Sequence, residues 1–170
     1  NRLCFLLPLL FSLLPGCRET EAGQVYQLYF QPASYTAGPA LLPFDFLPEE
    51  SQTPLEEILV ETLLAGPEDP TLRSPFPKGV SLRSWSLQDG LLQINLSEQY
   101  GGLSGMALTI ADHAIALTLC QLPHVDGVTI KVANDPMPFR YHQILTPDNI
   151  LLTAVGRAEN TGAVVEGELT

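Results

Sequence analysis

Between Val80 and Val132 the spacing of apolar residues changes twice, and each change marks a new element. Val80, Leu82, Ser84 and Ser86 alternate with Ser81, Arg83, Trp85 and Leu87, which is the period of two of a β-strand. Leu92, Ile94 and Leu96 repeat that period with Gln93 and Asn95 on the other face. Asp89-Gly90 separates the two runs. Both residues accept positive φ, as a type I′ turn demands, so the pair predicts an antiparallel hairpin. After Gly101, Gly102 and Gly105 the period becomes helical from Ala107 to Gln121. One stripe holds Ala107, Ile110, Ala114 and Leu117. A second beside it holds Leu108, Ala111, Ile115, Leu119 and Leu122. Two adjacent stripes predict a helix buried heavily against a sheet. Pro123 stops it, and Val128, Ile130 and Val132 open a further strand near Val128.

Upstream, Val25 to Phe30 alternates and is rich in aromatics, so it reads as the first strand. A segment studded with Pro32, Pro39, Pro43 and Pro48 follows. Its Leu41, Leu42, Phe44, Phe46 and Leu47 fit a short edge strand packed on the core, with an exposed partner-binding patch as the alternative. Thr53-Pro54-Leu55-Glu56 predicts a helix start, with Thr53 as cap, Pro54 first in the helix and Glu56 closing a capping box. Leu55, Ile58, Leu59, Thr62 and Leu63 form its inner face, and Gly66-Pro67 ends it. Three glutamates on this helix read as a solvated face, with no histidine or further carboxylate placed to complete a metal site. The order is β-α-β-β-α-β. It predicts an α+β, two-layer sandwich, with one small mixed sheet covered on one face by two helices. Near the end, Phe139 to Leu145 offers a further strand and Pro147 to Leu152 a segment that packs back.

The chain start adds a location. Leu3 to Pro15 is almost continuously apolar, yet too short to span a bilayer as a helix. With Arg2 before it, the run fits the apolar region of a secretory signal. Leu14-Pro15-Gly16-Cys17 closes it and resembles a bacterial lipoprotein signal, in which the cysteine is lipidated; Pro15 stands where a small or β-branched residue is usual. The division expected is a signal over 1–16, a polar tether over 17–24, a folded domain over 25–152 and an acidic tail over 153–170. Cys17 is the candidate lipidation site, and its two acyl chains would hold the protein on the extracytoplasmic face of the cell membrane. An ordinary signal with an incidental cysteine is the alternative.

Charge narrows the partners. The chain has 8 Lys and Arg against 19 Asp and Glu. Without residues 1–16, which hold only Arg2, the formal charge is −12. The electrostatic footprint of a nucleic-acid binder is missing. Cys4, Cys17 and Cys120 have no metal-ligand spacing, and no phosphate loop or other cofactor motif is present. Cys120 reads as a small buried hydrophobe. Gly101-Gly102-Leu103-Ser104-Gly105 lacks the second spacer of a nucleophile elbow and sits before a helix, so Ser104 reads as a cap rather than a nucleophile. His113 and Cys120 lie seven residues apart on one helix, about 10.5 Å along its axis, beyond direct activation. No catalytic group is assigned.

Several of these pieces recur together in one family. Leu63-Leu64-Ala65-Gly66-Pro67, Pro77-Lys78-Gly79-Val80, Asp89 to Ser97, Leu119-Cys120-Gln121-Leu122-Pro123 and Val125 to Ile130, in that order, resemble the GerM domain of spore germination and sporulation proteins. The resemblance covers roughly Val25 to Val132 and extends toward Leu152. Asn95 stands where an Asp is common in that family. The resemblance implies a compact α/β domain related to ring-building modules of sporulation membrane complexes. It also implies a non-catalytic protein, often a lipoprotein on the outer side of a membrane. The function expected is scaffolding or assistance of a sporulation, germination or envelope complex through protein contacts. Self-association through sheet edges is one way to make them. The alternative is a ligand-binding lipoprotein, for instance for cell-wall fragments, with an aromatic groove around Trp85, Tyr100 and Tyr141.

Overall fold

The computed structural model describes residues 23–34, 37–137 and 142–149. Seven strands and two α-helices follow one another as β1 (Tyr26–Pro32), β2 (Leu42–Phe46), α1 (Leu55–Ala65), β3 (Leu72–Arg73), β4 (Leu82–Gln88), β5 (Leu91–Leu96), α2 (Gly105–Leu119), β6 (Gly127–Val132) and β7 (Asp135–Pro136). A short 3-10 helix, Glu98–Gly102, precedes α2. The longer elements keep the predicted order, and the fold is α+β. Signal and tether residues up to 22, including Cys17, and the tail over 153–170 lie outside the described residues.

The hairpin forms as its turn chemistry dictates. Asp89 and Gly90 adopt φ of 51° and 78°, and β4 pairs antiparallel with β5 from Gln88↔Leu91 outward. β5 then pairs parallel with β6, from Leu91↔Gly127 to Leu96↔Val132, with α2 as the crossover. The inner face of this mixed sheet is Leu92, Ile94, Leu96, Val128 and Ile130, all buried. Its outer face is polar, with Ser86, Gln93 and Thr129 side by side.

The strands divide into two hydrogen-bonded sheets instead of the single sheet expected, in the orders β2-β1-β3 and β4-β5-β6-β7. The reason lies in two segments that look like loops. The proline-studded stretch supplies β2, which runs antiparallel along β1 from Tyr26↔Phe46 to Phe30↔Leu42. The stretch before the hairpin supplies β3, paired with Gln31 and Pro32. Both edges of β1 are thereby occupied. Phe44 meets Phe30 edge-on with centroids 6.2 Å apart, so packing holds for the segment, although Leu47 stays 56% exposed.

α2 lies between the sheets, against both β1 and β6, and α1 packs on α2 and β4. Leu108, Ala111, Ile115, Leu119 and Leu122 are all buried, whereas Ala107 is exposed, because the helix begins two residues earlier and its first turn is open to solvent. It also ends earlier than predicted, at Leu119. Gln121 is drawn into a different job: its side-chain amide donates to Thr118 O at 2.5 Å and Gln27 O at 2.8 Å, and its Oε1 accepts from the Gln27 amide at 2.9 Å. One side chain thus caps the helix and pairs with β1 as a strand would.

Two predicted caps do not form. Pro54, not Thr53, is the N-cap of α1, with no side-chain cap bond. Glu56 is drawn away by His124 in the α2–β6 turn, whose Nε2 lies 2.6 Å from Glu56 Oε1. Ser104 occupies the N-cap position of α2 in an extended conformation, also without a side-chain cap bond. Gly66 ends α1 as predicted, at φ 90°, donating its amide to Leu63 O.

Candidate functional site: an open strand edge

The four-stranded sheet has two edges, and the fold treats them differently. Beyond β6 the edge is covered. β7 pairs with Lys131 and Val132, and Leu145 exchanges backbone bonds with Val128 at 2.7 and 2.9 Å. β4 has no such cover among the described residues. In an antiparallel ladder closed by a two-residue turn, Gln88↔Leu91 is a hydrogen-bonded pair, and paired residues alternate along the strand. Gln88, Ser86 and Ser84 therefore turn their amides and carbonyls toward β5. Leu87 and Trp85 turn theirs outward. A strand edge of this kind is a template for another extended chain.

α1 stands beside that edge. The Trp85 indole N–H donates to Glu57 Oε2 at 2.9 Å, which ties the helix to the strand. Between them runs a groove of about 290 Å³, lined by Glu57, Glu61, Leu82, Arg83, Ser84 and Trp85. Arg83 falls at the β-bulge between Leu82 and Ser84, and its guanidinium lies 3.9 Å from Glu98, with both side chains well exposed. The carboxylates of the groove are those on α1. A second shallow depression of about 350 Å³ lies on the polar sheet face, over Ser86, Gln88, Asp89, Leu91, Gln93 and Thr129.

Asn95 has a structural role, not a carboxylate's. It is buried, donates from Nδ2 to Asn134 Oδ1 at 2.9 Å and accepts at Oδ1 from the Asn134 amide at 2.9 Å. These bonds hold the β6–β7 turn, in which Ala133 and Asn134 both have positive φ, 49° and 74°. A longer bond, 3.4 Å, runs to Ser84.

The groups with chemical potential are tied up or set apart. Tyr100 is fully buried and donates to Asp112 at 2.6 Å. Its ring is therefore not offered to a ligand. Trp85 is held on α1, and Tyr141 lies outside the described residues. His113 is buried with Nδ1 unpartnered, and burial lowers its pKa. Burial, aided by the Asp126 carboxylate, pushes the Cys120 thiol up to about 11. Glu56 corrects the reading of the α1 glutamates: a histidine does stand beside one of them, brought from 68 residues away. No local sequence signal points to that pair. Among the described residues no group of three or more His, Cys, Asp or Glu is placed to hold a metal ion.

A family profile described as "Germane: Sporulation and spore germination" matches residues 27–138. The chain belongs to the Germane family. Among solved structures, the first GerMN domain of the sporulation protein GerM from Bacillus subtilis superposes with a TM-score of 0.60 at 15% identity, covering 72% of this chain and 97% of that one. The tandem GerMN domains of the same protein give a TM-score of 0.56 at 21% identity, covering 78% of this chain and 50% of that one. At these identities the likeness shows the fold of the Germane chain. No curated protein matches it.

Proposed function

We propose that this Germane-family chain is an exported, lipid-anchored, non-enzymatic domain. It scaffolds or assists a sporulation, germination or other cell-envelope complex through protein contacts. The observation that carries this reading is the β4 edge, uncovered among the described residues, which offers the Trp85 and Leu87 backbone to a partner, whereas β6 is paired by β7 and Leu145. The location rests on the apolar run Leu3 to Pro15 followed by Cys17, with a lipid on Cys17 tying the domain to the extracytoplasmic face of the membrane. The non-enzymatic part rests on the state of the reactive groups. A thiol pushed up to about 11 is a poor nucleophile at neutral pH, and Ser104, at the N-cap of α2, does not follow a strand as a nucleophile elbow would.

The test has two arms. Metabolic labelling with palmitate is expected to mark the protein in cells and to leave Cys17→Ala unmarked. Crosslinking in intact sporulating cells is expected to join the protein to envelope proteins, with the joined peptides mapping beside β4. Labelling that persists in Cys17→Ala removes the lipid anchor from the reading. Crosslinks confined to cytoplasmic proteins overturn the envelope role.

A further inference from the structure

We propose that the β4 edge takes an extended, cationic segment of a partner protein as an added strand, with two basic side chains one residue apart meeting Glu57 and Glu61. This rests on the reading of the domain as a protein-contact module and names the chemistry of the contact. The backbone part follows from the ladder: only Trp85 and Leu87 present outward amides and carbonyls along the regular part of β4, so the incoming strand is held by alternate residues. The charge part follows from α1. Glu57 and Glu61 line the groove beside the edge and are one helical turn apart, about 6 Å along the axis. Side chains at i and i+2 of a strand are about 6.7 Å apart on one face. An extended segment with the pattern basic–any–basic matches that spacing.

Arg83 also lines the groove, but the two α1 carboxylates outnumber it, and its guanidinium lies 3.9 Å from Glu98. A second copy of this chain fits poorly. The formal net charge is −11, and two β4 edges side by side would bring both pairs of α1 glutamates together. The polar outer sheet face beside the edge asks for no apolar side chains on the solvent side of the incoming strand.

The probe is a short labelled peptide alternating lysine with threonine, titrated into the purified protein and followed by fluorescence anisotropy at low salt. Binding is expected, and replacing lysine by serine in the peptide is expected to weaken it at least as much as loss of the two glutamates does. Glu57→Gln with Glu61→Gln is expected to weaken binding roughly fivefold, the sum of two exposed ion pairs. The side-chain carbonyl that Glu57→Gln introduces would still accept from the Trp85 indole, so the groove keeps its shape. Strand addition is read separately by methylating alternate peptide amides. Methylation in one phase is expected to abolish binding and in the other to leave it unchanged.

Equal effects of the two methylation phases, or an affinity unmoved by the double glutamine variant, overturn the proposal. So does a protein dimer in sedimentation equilibrium that the peptide dissociates, which would give the edge to a second copy. The wider reading fails independently. Envelope proteins crosslinked in cells but unaffected by competing peptide leave scaffolding standing and remove β4 as its site. Peptide binding with crosslinks only to cytoplasmic proteins does the reverse.

Discussion

Replacing Asn95 by Ala removes two bonds of 2.9 Å to Asn134 and a weak third to Ser84. Each good bond contributes roughly 0.5–1.5 kcal/mol net, and one at 3.4 Å contributes little. Asn134 is exposed and can turn to water, so no large penalty for a stranded donor is added. The expected loss is about 2 kcal/mol, a fall in Tm of about 10 °C for a domain of this size. Asn95→Asp behaves differently. The carboxylate still accepts from the Asn134 amide, and the Asn134 side chain can turn so that its NH₂ donates. The cost should stay under about 1 kcal/mol. Asn134→Asp is tolerated for the mirror reason, since Asn95 Nδ2 remains a donor. The double Asp variant sets two carboxylates at hydrogen-bond distance with no proton between them. Even with water-like screening, their repulsion is about 1.5 kcal/mol beyond the sum of the single changes. Urea unfolding of the four proteins at neutral pH, with constant m-values, closes the cycle. An Asn95→Ala cost below about 0.5 kcal/mol, or a coupling near zero, refutes the claim that these bonds hold the β6–β7 turn.

Three further outcomes are expected. Leu59→Ala empties a fully buried site in α1 and should cost about 2–5 kcal/mol in the same assay. The folded pKa of His113 lies below its ordinary value of 6.5, so the unfolded chain takes the proton first; stability should fall as pH drops below about 6.5, and His113→Leu should flatten that limb of a stability–pH curve. Cys120, raised from 9.0 to about 11, should react with iodoacetamide at pH 8 about a hundredfold more slowly in the folded than in the urea-unfolded protein, and its contribution to stability should be lost as pH rises from about 9 through 11.

How far these features can be read without a structure depends on the range of the interaction. The Asp89-Gly90 hairpin, both helices and β6 are legible because turn residues, apolar period and helix stops act within a few residues of one another. β2 and β3 are strands because β1 needs neighbours, and nothing within Leu42–Phe46 or Leu72–Arg73 reveals where β1 lies. The capping box fails for the same reason. Glu56 has the right type and position, but a histidine 68 residues away takes its carboxylate. An exposed strand edge is foreseeable from any small sheet. That β4 is left uncovered in the four-stranded sheet, among the described residues, while β6 is not, depends on β7 and Leu145 pairing with β6. The lipidation candidate Cys17 rests wholly on the segment before it and lies outside the described residues.

Gln27 leaves the ribosome long before Gln121. Once the chain up to residue 96 is free to fold, the β1 sheet and the β4–β5 hairpin both have their local partners, since a hairpin closes in microseconds. Their apolar faces, Leu28 and Phe30 on one and Ile94 and Leu96 on the other, still lack the helix that joins them. Closing the 94-residue separation between the two glutamines costs roughly 4 kcal/mol of chain entropy, repaid only when α2 docks on both sheets. The domain therefore completes as a unit only after α2 is made, and a chain cut short before Gln121 would leave two sheets with their apolar faces uncovered.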